Sequence, residues 1–65
     1  MQTWTVTFIK AGPPFEAVYL DHREIGIFKH FRYQGRVLPG GQFIQPGKPL
    51  RAFHDRDSVR AYVLA

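Results

Sequence analysis

Near the start of the chain Trp4, Val6 and Phe8 alternate with Thr3, Thr5 and Thr7. An apolar residue at every second position marks a strand with one face buried and the other in water. Gln2 to Ile9 is therefore predicted as a strand, and a strand so patterned needs neighbours for its ladder and a second layer over its apolar face. Ala11-Gly12-Pro13-Pro14 interrupts the pattern, since proline lacks the N–H donor and glycine opens positive φ. Phe15 to Leu20, rich in aromatic and β-branched residues, reads as the returning strand of a hairpin.

The segment Asp21 to Tyr33 admits two readings. As a helix, Asp21 caps, Glu24 completes a capping box, Ile25, Phe28 and Phe31 line one side, and Gly35 ends it. As a strand entered through a turn at Asp21-His22-Arg23-Glu24, it puts Ile25, Ile27, Phe31 and Tyr33 on one face. Gly26, Phe28, His30 and Arg32 then fall on the other. Gly26 in mid-element, the isoleucine pair and the aromatics lower helix propensity and raise strand propensity, so the strand is preferred. Gln34-Gly35 suits a turn. Arg36-Val37-Leu38 is expected to start another strand that Pro39-Gly40-Gly41 stops, and Gln42 to Gln45 is a short β candidate. Pro46-Gly47-Lys48-Pro49 reads as a turn and Leu50 to Phe53 as a short strand. Asp55 can then cap a terminal helix of two turns, with Val59, Tyr62 and Val63 on one face and Arg56 and Arg60 on the other.

The expected fold is α+β to mainly β. It is a single compact domain over residues 1–65, an antiparallel sheet of three to five strands with a short C-terminal helix. At 65 residues the chain lies near the lower limit for one unaided hydrophobic core. It has no cysteine, so neither a disulfide nor a Cys-based zinc site can support the fold. Bulk must do so instead: six Phe, three Tyr and Trp4 make up 15% of the chain. Self-association into a homo-oligomer is a further route. No leader or membrane-length apolar run is read in the sequence, and the cysteine-free composition makes the cytoplasm the default location.

Each apparent catalytic cluster has a simpler reading. His22 and His30 would be about 26 Å apart on a strand and about 12 Å apart on a helix, too far to share a metal. His54, Asp55 and Ser58 contain the residue types of a nucleophilic triad, but a chain this small has little depth to keep water from one. Capping by Asp55 accounts for the same residues. Gly41 and Gly47 are separated by five residues where a phosphate loop has four, and Pro49 stands in place of its hydroxyl residue. The expectation is a non-enzymatic module with no metal, cofactor or catalytic residue.

Net charge is +4 with pI near 10.0, which favours polyanions or acidic protein surfaces as partners. Basic residues outnumber acidic ones by three over residues 22–36 and by two over 37–65, whereas the first twenty residues are neutral. DNA or RNA binding is the leading expectation, with Phe28, His30 and Arg32 as an exposed face for stacking and phosphate contact. Lys29, Arg36, Arg51, Arg56 and Arg60 would support it. The alternative is a protein-binding accessory or inhibitor module docking on an acidic partner, anchored by Phe15, Tyr19 or Phe43.

From Gly35 to Ala65 the chain is loosely similar to the wing and last helix of small excisionase-type winged-helix proteins. Gly35, Gly47-Lys48, Arg51 and Asp55-Arg56-Asp57-Ser58-Val59 hold the corresponding places. That similarity covers less than half of the chain and implies a recognition helix ending at Gly35. The Trp4 to Leu20 hairpin departs from the family, which begins with a helix.

Overall fold

A computed structural model describes residues 3–65 and contains five strands followed by one helix. They are β1 (Val6–Lys10), β2 (Phe15–Leu20), β3 (Arg23–Tyr33), β4 (Arg36–Ile44), β5 (Arg51–Phe53) and α1 (Arg56–Leu64). The strands form one antiparallel meander in the order β1-β2-β3-β4-β5. This is the small β-rich fold with a C-terminal helix that the alternation predicts. Among the described residues no helix is long and apolar enough to cross a membrane.

Segment 21–33 is settled by β3, an eleven-residue strand, and among the described residues no recognition helix precedes Gly35. The turn before β3 places Asp21 in left-handed backbone at φ 54°, which a short polar side chain tolerates. Its carboxylate also accepts from the Thr5 N–H at 3.0 Å. At the far end Gln34 and Gly35 have φ of 51° and 78°, with Tyr33 paired to Arg36. Two positive φ values in a two-residue loop match the twist of the flanking strands.

Two expectations about strand ends need correction. Trp4 is 48% exposed and precedes β1, because the pairing ends where Thr5 meets Asp21. Gln2 lies outside the described residues. Pro39-Gly40-Gly41 does not stop β4. His30 pairs with Gly41 and Arg32 with Val37, so three residues of β4 face Phe31 alone, and Pro39 sits in this bulge where its missing donor costs no ladder bond. Gly41 is required by close approach. A Cβ there would overlap the Lys29 carbonyl oxygen and come within 2.7 Å of His30 Cα.

The helix covers one side of the sheet. Asp55 caps it by accepting from the Ser58 N–H at 2.8 Å, and Val59 inserts into a core of Val6, Val18, Phe28 and Phe43. Phe8, Leu20, Ile25, Phe53, Tyr62 and Val63 pack around it. Edge-to-face contacts tie the rings together, with Phe8 to Phe28 at 6.2 Å and Phe43 to Tyr62 at 6.4 Å between centroids, geometries in which ring edges meet π faces.

Candidate functional site

Cross-strand register divides the sheet residues between a covered and an open side. Lys10, Glu16, Phe28, Phe43 and Arg51 form one row across all five strands. It faces the helix, and its three inner members are buried. The next position along each strand points the other way, giving the row Ile9, Ala17, Ile27, Ile44 and beside it Phe15, Lys29, Gln42, Ala52. No element of the described chain covers this second side.

The expected nucleic-acid face is therefore revised residue by residue. Phe28 has 0% exposure and His30 6%, because the helix packs on their side of β3. Neither ring presents a face to a base. Arg32 is exposed beyond the bulge and Arg36 at the hairpin end. Lys29 lies on the open side, its Nζ 5.9 Å from the centre of the Phe15 ring. The remaining cations are on the helix side and engaged there. Arg51 sits 5.0 Å over Tyr62, Arg60 sits 5.7 Å over Phe8 and bonds Asp57 at 2.6 Å, and Arg56 is held by Glu16. Of the aromatic anchors expected for a protein partner, Phe43 is core, while Phe15 and Tyr19 lie on the open side.

Among the described residues Glu16 organises the one buried charged cluster, and sequence reasoning did not single it out. Both its oxygens are engaged: Arg56 donates from Nε to Oε1 at 2.8 Å and from a terminal nitrogen to Oε2 at 2.9 Å, and His30 Nε2 bonds Oε1. On the opposite side of the ring, His30 Nδ1 donates to the Leu38 carbonyl at 2.8 Å. Both ring nitrogens thus face oxygen atoms, one of them on a carboxylate that also pairs with a guanidinium. Burial pushes the Glu16 carboxyl up, but the hydrogen bonds and charges of Arg56 and His30 outweigh this and hold it below 4.5. Taking charges out of water costs several kcal/mol per ion before pairing, so the cluster is an unusual load for a core this small. A signal was present in the sequence. Glu16 alternates in phase with Val18 and Leu20, an acid where the strand pattern calls for an apolar residue.

The cluster floors a cleft of about 490 Å³ between the β1–β2 loop, the outer half of β4 and the start of α1. Pro14, Phe15, Val37 and Leu38 supply apolar walls, and Lys10 and Arg56 are its cations. The bulge makes this cleft. It swings Leu38 out of the ladder and turns its carbonyl toward His30. A smaller hollow of about 230 Å³ also borders Pro14, lined by Lys29, Phe31, Arg32 and Gln42.

The molecule these features define is a five-stranded meander with one covered and one open face. Comparison with known proteins finds no match, whether to a family model, a curated protein or a solved structure.

Proposed function

We propose that this chain is a non-enzymatic protein-interaction module that pairs with a second copy of itself through the open face of its sheet. The observation carrying the reading is the uncovered row Ile9, Ala17, Ile27, Ile44, flanked by Phe15 and Phe31. The five large side chains among these are 37–50% exposed, together a patch on the order of a few hundred Å², the range of the largest apolar patch on a typical monomer, which is often functional. Lys29 is the one charge in the two central rows, so pairing buries little charge. Two such faces packed about 10 Å apart make a second core layer, which suits a chain with only five buried apolar residues among those described and no disulfide.

Sedimentation velocity over a concentration series tests this. The wild type is expected to form a dimer that Ile27→Glu returns to monomer with its circular dichroism unchanged. A wild type that stays monomeric to millimolar concentration would overturn the reading.

One observation favours a second reading. Phe31 is 42% exposed beside Lys29, Arg32 and Gln42, a ring with cations and an amide arranged as single-stranded nucleic acid is bound elsewhere. This is the same partner class expected from charge, moved from Phe28 to Phe31. Fluorescence anisotropy of labelled oligonucleotides across a salt series distinguishes it, because phosphate contacts give binding that falls steeply with salt.

A further inference from the structure

The cleft above Glu16, His30 and Arg56 differs from the open face in what it offers a ligand. Its internal acceptors are already engaged, the two Glu16 oxygens by Arg56 and His30 and the Leu38 carbonyl by His30. What remains unengaged is donor capacity. A guanidinium has more N–H groups than the two that Glu16 takes, and the Arg56 side chain is 53% exposed. The Lys10 side chain has no ion-pair or hydrogen-bond partner among the described residues, and it lines the same cleft. The walls are apolar on both sides, with Pro14 and Phe15 opposite Val37 and Leu38. At about 490 Å³ the space falls in the range of small-ligand sites.

We propose that this cleft binds a carboxylate carried on an apolar body, with Arg56 and Lys10 donating to the anion and the proline, phenylalanine and leucine walls covering the hydrocarbon. Glu16 and His30 act as positioning residues. Glu16 fixes the plane of the Arg56 guanidinium by two parallel bonds, and His30 holds Glu16 from the other side while its second nitrogen anchors the Leu38 wall. A cationic head group meets two cations and a neutral one lacks the charge to pair with them, so both are disfavoured. The same chemistry can come from a free aliphatic or aromatic acid or from the C-terminal carboxylate of a peptide ending in a large apolar residue.

Heteronuclear NMR titration of the intact chain tests the assignment. Its probes are octanoate, 4-phenylbutyrate, octanamide, and a hexapeptide ending in leucine as the free acid and as the amide. At least one carboxylate is expected to shift the amide resonances of Lys10, Phe15, His30, Leu38 and Arg56, with the matching amide at least tenfold weaker. Lys10→Gln, which leaves the buried cluster intact, is expected to weaken binding several-fold, and Val37→Asp at the wall to abolish it. Binding of octanoate or phenylbutyrate alone identifies the free acid as the source, and binding of the peptide alone identifies a chain terminus. Absence of shifts with every carboxylate at millimolar concentration overturns the proposal, as does equal binding of acid and amide. Ile27→Glu on the open face leaves this titration unchanged, which separates it from the dimer reading.

Discussion

Arg56 at the first turn of the helix grips Glu16 on β2 with two parallel bonds of 2.8 and 2.9 Å, joining residues forty positions apart in sequence. Removing the guanidinium leaves a buried carboxylate with His30 as its remaining partner. Arg56→Ala is expected to lower stability by about 2 kcal/mol, in the range for hydrogen bonds to charged groups and reduced by the partial exposure of the arginine. Asp57→Ala, which breaks an exposed pair to Arg60, is expected to change it by less than about 1 kcal/mol. Urea denaturation of the two variants beside the wild type measures the contrast.

The same carboxylate makes stability depend on acid. A carboxyl held below 4.5 in the folded protein contributes stability that is present above that value and is lost as pH falls through the depressed folded value, because the unfolded chain takes up the proton first. The capping carboxylate of Asp55, lowered by its bonds to Ser58, acts with the same sign. Glu16→Gln retains the second contribution and removes the first. Wild-type stability is therefore expected to fall more steeply below pH 4.5 than that of Glu16→Gln, read from denaturation midpoints between pH 2 and 6.

The two faces of β3 make opposite predictions for neighbouring aromatics. Phe28→Ala empties a fully enclosed site, and losses of about 3–5 kcal/mol for such a change are enough to unfold a domain of this size. Phe31→Ala removes an exposed ring and is expected to leave the melting temperature within a few degrees of wild type. If Phe31→Ala proved the more damaging of the two, the assignment of faces would be reversed.

Gly41→Ala tests the close approach of β4 to β3. The added methyl meets backbone at Lys29 and His30, where no side chain can move aside. Overpacking of this kind costs about 1–3 kcal/mol, and thermal melting of a small domain shifts by roughly 4–8 °C per kcal/mol.

Strand periodicity carried most of this architecture into view. The alternation in β1, the aromatic and β-branched run in β2, the Gln34-Gly35 turn and the Asp55 cap are local features, set by residues adjacent in sequence. Period-two alternation separates the faces of a strand but does not say which face is covered. In β3 the two sets were divided largely as the structure has them, yet Phe28 and His30 were assigned to the exposed side. The choice depends on where α1 docks, a contact between segments far apart in the chain. Glu16 was passed over for the same reason, since its partners come from β3 and the helix. The bulge escaped because Pro39-Gly40-Gly41 has the composition of a loop, and its retention in the sheet depends on His30 replacing a ladder bond at Leu38.

The meander has a kinetic consequence. Every ladder joins strands consecutive in the chain, so sheet assembly requires closing short loops, and topologies dominated by near-neighbour contacts fold fast. Docking the helix is different, because it brings Arg56 back to Glu16 across most of the molecule. The hairpins are therefore expected to form first and the helix to lock down last, with substitutions at Arg56 speeding unfolding more than they slow folding.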